Sequence, residues 1–349
     1  MKLTEQSSLF LDFLRAFSAQ VVVVFHAASL FGLINAKQQL LYGLPSQAVV
    51  TFFILSGFLI AYSTFNRQKN SEYSFSKYFK SRFKRIYSTL IPVIILAVLI
   101  DYFTIVYFHN NQFKAYTLQN FIGNILMLQN HPLQGNLLPQ SISNFINVNP
   151  FGTSVQLWSL SIEWWCYMLF GWLMLGYNPH KKFVYFFLLL LLSIIPIANA
   201  GFLERGKGIT WCWFEGVSVF FFLNLNKKYN LKIIYLILIG SLLFFMGRYY
   251  NKGAYDMLAS ILFTIFFASA IYVFQNVNFK FNDFVKRIIK FFVGYSYTLF
   301  LLHYCVICLL INVFSSIQNK FIVCIISIII SNALAYLLSL FTEKDYRLK

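Results

Sequence analysis

Apolar residues run along this chain in long unbroken blocks, with neither the alternation of a strand nor the one-sided stripe of a surface helix. The blocks fall at 9–31, 46–65, 86–108, 155–176, 183–200, 210–225, 233–249, 255–275, 291–313 and 321–341. Runs of about twenty apolar residues have the length of a bilayer-crossing helix. A further apolar stretch, 118–129, is about twelve residues long, which suits a re-entrant or interfacial helix better than a crossing. The pattern predicts an all-α fold: a polytopic membrane helix bundle of about ten transmembrane helices plus one short helix. Length alone would allow two soluble domains. The continuous spacing of the blocks argues instead for a single integral membrane domain over 1–349.

Composition supports that class. Of 349 residues 59% are hydrophobic and 11% charged, against about 25% charged in soluble domains. Charge then orients the bundle. With the N-terminus cytoplasmic and 118–129 not crossing, 20 of the Lys and Arg residues fall in inside segments and 7 outside. That is the bias expected of a membrane protein, with both termini inside. A crossing at 118–129 would largely cancel it. The first block contains Asp12 and Arg15 and lacks a small-residue cleavage pattern, so it is expected to remain as the first span. The net charge of +17 sits in short clusters between blocks, where it sets topology and forms no nucleic-acid-binding stripe. Five cysteines lie within apolar runs. Cys305 and Cys308 have CxxC spacing, but inside a bilayer helix they read as small packing residues, and no metal site is expected.

Ionisable groups inside spans are functional candidates by default. Arg15 and His26 are eleven residues apart, close to three helical turns, so they share one face about 16 Å apart along the axis. Asp12, one turn before Arg15, is placed to hold its guanidinium. Arg15 lies near the cytoplasmic end of the span and His26 near the outer end. Glu163 enters from outside to a depth similar to that of His26, and either orients that imidazole or forms a structural ion pair with a Lys or Arg. His303, mid-span, reads as structural. Arg82 and Arg85, one turn apart, either set topology or clamp phosphate. The 130–154 loop carries no charge but many amides and hydroxyls: Asn130, Gln134, Asn136, Gln140, Ser141, Ser143, Asn144, Asn147 and Asn149. Such groups suit sugar contact as well as plain turns.

Taken in order, these stretches resemble one family. Arg15 through His26 within Leu11-Asp12-Phe13-Leu14-Arg15 is similar to the first-span signature of acyltransferase family 3, membrane-bound O-acyltransferases of bacterial surface glycans. Phe52 to Ile60, which includes Ser56, resembles the family's second span. Arg82-Phe83-Lys84-Arg85 resembles its RxxR element, Leu157 to Tyr167 its WSL-x-x-E segment, Tyr295-Ser296-Tyr297 through His303 its SY…H segment, and Glu343 its terminal Glu. Asp345 stands where members often have Pro, and Pro92 lies farther along than usual. The chain ends at Lys349, which resembles stand-alone members without an extracytoplasmic esterase-like domain.

The resemblance implies transfer of an acyl group, acetyl before others, from cytoplasmic acyl-CoA to a hydroxyl of a surface glycan or lipid-linked sugar at the bacterial inner membrane. His26 and Glu163 are then the expected catalytic residues, His26 as general base or transient acyl carrier. Arg15, Arg82 and Arg85 are expected to bind the donor, and Asp12, Ser56 and His303 to support the site. Partners implied are acyl-CoA, the sugar acceptor and membrane lipids, with no nucleic acid. The alternative class is a transporter or exporter of a glycan or lipid-linked sugar. It would be expected to show an internal repeat with paired broken helices, and the two halves show none.

Overall fold

A computed structural model describes residues 2–35, 38, 41, 43–109, 116–129, 131, 147–201, 208–225, 228–277 and 280–343. Among these residues the chain forms twelve α-helices and no strand. They are α1 (Glu5–Leu30), α2 (Leu44–Gln68), α3 (Phe75–Phe108), α4 (Leu118–Ile125), α5 (Leu157–Leu175), α6 (Lys182–Ala198), α7 (Ile209–Asn224), α8 (Leu231–Lys252), α9 (Met257–Asn276), α10 (Asp283–Val293), α11 (Ser296–Val313) and α12 (Lys320–Thr342). Eight are long and apolar enough to cross a membrane: α1, α2, α3, α6 with the 3₁₀ turn before it, α8, α9, α11 and α12. The 19-residue α5 and the 16-residue α7 complete the ten expected segments. The stretch 118–129 holds only the eight-residue α4, capped by the Thr117 hydroxyl accepting from the Asn120 N–H. Of the 130–154 loop, Asn130, Gln134, Asn136, Gln140, Ser141, Ser143 and Asn144 lie outside the described residues, as does Asp345.

One expected span is corrected. The block at 291–313 is two helices, because Gly294 closes α10 and Tyr295, at φ −135° and ψ 9°, leaves helical geometry before α11 begins. The apolar run Phe291-Phe292-Val293 belongs to an amphipathic α10 whose lysines pair with α1. Lys286 Nζ is 2.7 Å from Glu5, and Lys290 Nζ is 2.5 Å from Asp12.

α1 is central and packs against α2, α9, α10, α11 and α12. α3 lies against α5, α11 and α12. The closest crossing is α2 on α7. A Cβ on Gly57 would sit 1.9 Å from the Trp213 carbonyl oxygen, and one on Gly216 would sit 2.0 Å from that of Ile54. Small residues let membrane helices approach this closely. The crossing also brings the Trp213 indole onto Ser56.

Candidate functional site

Two of the cavities among the described residues meet at α1 and α2. The first, about 370 Å³, is walled by α1, α2, α11 and the chain leading into α5. Val22, His26 and Ser29 line it from α1 at helical spacing, so one face of that helix supplies them. It is called the histidine cavity below. The second, about 320 Å³, is lined by Arg15, Arg82, Arg85, Ser56, Glu163 and Tyr167, with Ser296 and Tyr297 from the first turn of α11. It is the arginine cavity. Val49 and Phe300 line both cavities, and Phe52 stands edge-on to Phe300 with ring centroids 5.3 Å apart. An apolar partition of these side chains therefore stands between the two.

His26 does not stand alone. Its Nδ1 lies 3.0 Å from Nε2 of His303, and the two rings are nearly parallel, 10° apart. The tautomers follow from His303, which is fully buried. His303 Nδ1 is 3.1 Å from the Leu299 carbonyl oxygen and 2.9 Å from that of Phe300. Carbonyl oxygens only accept, so His303 Nδ1 carries hydrogen. In a neutral ring His303 Nε2 is then an acceptor, and His26 Nδ1–H donates to it. His26 Nε2 keeps its lone pair, and that is the nitrogen able to take a proton or attack a carbonyl. Tyr304 stands edge-on to His26, 5.5 Å between centroids, and fixes the ring from the side.

Glu163 serves a different group, and the expectation that it orients His26 is corrected. Its Oε1 accepts from the Ser56 hydroxyl at 2.6 Å and from the Tyr167 hydroxyl at 2.6 Å. Trp213 Nε1 in turn donates to Ser56 Oγ at 3.2 Å. The carboxylate thus binds hydroxyls on the arginine side, while His303 holds the Nδ1 of His26. Asp12 is also corrected: its carboxylate takes Lys290 of α10, whose reach competes with the Arg15 one turn along.

Arg15, Arg82 and Arg85 come together at one cavity from two helices. Arg82 is 8% exposed, with its guanidinium 5.6 Å from the centre of the Tyr78 ring. Its Nε and the Tyr297 hydroxyl are buried without a partner among the described residues. Glu343 holds the start of α11. Its Oε1 accepts from the Thr298 N–H at 3.0 Å and the Thr298 hydroxyl at 2.6 Å, in the first turn of α11. A carboxylate there satisfies a free donor and complements the positive end of the helix.

Several buried polar groups were not singled out from the sequence. Asp101 of α3 accepts from the Thr153 N–H at 2.9 Å and its hydroxyl at 2.7 Å, tying the α5 lead to α3. Glu215 of α7 accepts from Ser260 and Thr264 of α9. Both are carboxylates inside apolar runs, the signal already applied to Glu163. Tyr167 was legible too, four residues beyond Glu163 on the same helical face.

Residues 8–340 match the family described as “Acyltransferase domain”. A relative named O-acetyl transferase, from Shigella phage Sf6, is 24% identical over 266 residues, which covers 72% of this chain and 73% of the relative. No solved structure matches.

Proposed function

The chain belongs to the acyltransferase family, and from that premise we propose that it transfers an acyl group, acetyl before others, from acyl-CoA to a hydroxyl of a surface glycan or lipid-linked sugar. Family membership and the phage relative support O-acyl transfer. Donor, acceptor and side are our reading. The observation that carries it is the His26–His303 bond, which leaves His26 Nε2 unprotonated at a cavity wall.

In this reading the arginine cavity is the cytoplasmic one and receives the donor, since the basic residues cluster at that end. Arg15, Arg82 and Arg85 hold the donor's phosphates, with the unpartnered Nε of Arg82 as one contact. The thioester end crosses the Val49–Phe300 partition toward His26. His26 Nε2 takes the proton from the acceptor hydroxyl as its oxygen attacks the thioester carbonyl. The C–S bond then breaks, the ester forms, and the thiolate leaves with the proton His26 collected. His303 is a positioning residue: it holds the His26 tautomer and does not touch the reacting atoms. In this reading the protein lies in the bacterial inner membrane with both termini cytoplasmic.

Purified protein given acetyl-CoA and a sugar acceptor should release CoA and form ester. Movement of unmodified sugar across vesicles without ester would return the transporter reading. Reporter fusions at 150 and after Lys349 should report outside and inside respectively; a cytoplasmic report from 150 would reverse the two cavities.

A further inference from the structure

Gln156 stands at the N-cap of α5 and lines the histidine cavity. It is 4% exposed. Its Nε2 donates to the Leu301 carbonyl of α11. A carbonyl only accepts, so that bond fixes which way the amide points. The other end, Oε1, is buried with no hydrogen-bond partner among the described residues. Buried amide oxygens are rarely left unsatisfied in native proteins, and this one belongs to a side chain that lines the cavity, so it calls for a donor.

The rest of that wall narrows the chemistry of the donor. Among the described residues no Lys, Arg, Asp or Glu lines the histidine cavity. A charged ligand would find no counter-charge there, whereas a neutral hydroxyl needs only an acceptor. The reacting hydroxyl already has one in His26 Nε2. We infer that Gln156 selects the acceptor: its Oε1 accepts a hydrogen bond from a second hydroxyl of a neutral polyol whose first hydroxyl gives its proton to His26. This rests on the acyl-transfer reading above. It adds that the favoured acceptor is a polyol face presenting two hydroxyls to the wall, and that a single alcohol binds poorly. A site built to hydrogen-bond a hydroxyl rejects the analogue that lacks it, because its own polar atom is then left unpaired.

The test uses the full-length protein in detergent, acetyl-CoA, and a panel of methyl pyranosides with their monodeoxy forms. Ester formation and acceptor-independent hydrolysis of acetyl-CoA are measured separately. With the unaltered protein, removing one hydroxyl other than the acylated one should raise the acceptor KM about tenfold, the size of one lost buried hydrogen bond. Gln156→Leu, close in size, should raise the KM for the parent sugar about tenfold, leave donor KM and hydrolysis unchanged, and no longer distinguish parent from deoxy sugar. If ester formation and hydrolysis fall together in Gln156→Leu, the side chain only buttresses α11 through Leu301 and the assignment is overturned. Indifference of the unaltered protein to every deoxy sugar overturns it without any variant. An unaltered protein that esterifies no hydroxyl compound overturns the transfer reading itself, and the role of Gln156 falls with it.

Discussion

The two cavities are similar in volume, share Val49 and Phe300, and differ in almost everything chemical. Among the described residues the arginine cavity carries four guanidinium groups, those of Arg15, Arg67, Arg82 and Arg85, and one carboxylate. Among the described residues the histidine cavity carries no Lys, Arg, Asp or Glu and gathers an imidazole, an amide and hydroxyls. Charge in a membrane interior is costly and is kept where a ligand of opposite sign will meet it. The arginine cavity is therefore suited to phosphates and the histidine cavity to neutral hydroxyls. In the proposed reading the difference separates donor binding from chemistry along one helix: α1 supplies Arg15 to one cavity and His26 to the other, eleven residues on.

Variants on either side should fail differently, and the largest failure is expected at His26. His26→Ala and His26→Gln should each lower ester formation by about 10²- to 10⁴-fold, the usual loss on removing a general base, with membrane protein level unchanged. Gln restores hydrogen bonding but accepts no proton at Nε2's position, so near-normal transfer in His26→Gln would remove the catalytic assignment. Next come the arginines. Arg82→Ala or Arg85→Ala should raise the donor KM about 10- to 100-fold, corresponding to about 1.5–3 kcal/mol for a charge-assisted contact, and leave the acceptor KM alone. A shift in acceptor KM instead would dissolve the separation of the two cavities. His303→Leu should lower kcat about tenfold with little effect on either KM, because the wrong His26 tautomer becomes populated; a collapse of protein level would make His303 structural. The smallest effect belongs to Glu163→Gln. The amide oxygen can still accept from Ser56 and Tyr167, so kcat should hold while the donor KM moves a few-fold as the cavity grows more positive. A kcat loss as large as that of His26→Gln would tie Glu163 to the imidazole after all.

The spans were legible because bilayer length imposes long apolar runs, and nine of the ten blocks each coincide with one helix. The break at Gly294-Tyr295 was not, since apolar residues continue on both sides and only backbone geometry separates α10 from α11. That missed helix explains Asp12. Its helical spacing favours Arg15, but Lys290 approaches from an element that hydropathy alone merges into a span. Spacing offered a depth along the span for His26 and Glu163 but no rotation about the helix axis. Equal depth suggested contact, yet Glu163 turns toward Ser56 and Tyr167. The pairing of His26 with His303 joins helices far apart in sequence, which no local spacing reveals. Gln156 escaped notice because a Gln before a span looks like any loop amide until its nitrogen is seen to be occupied.

The histidine bond also bears on how the protein is made. His26 and His303 are 277 positions apart, and chains grow at about 5–20 residues per second. The imidazole of α1 therefore waits roughly a quarter of a minute to a minute for its partner to be synthesised. Glu343, which stitches the first turn of α11, arrives later still. The half of the protein that holds the proposed catalytic histidine is thus finished last, after nearly every other helix has been made. A chain stalled before α11 would hold an arginine cavity missing one wall and a histidine without its fixed tautomer, and in the proposed reading would be inert toward acyl thioesters.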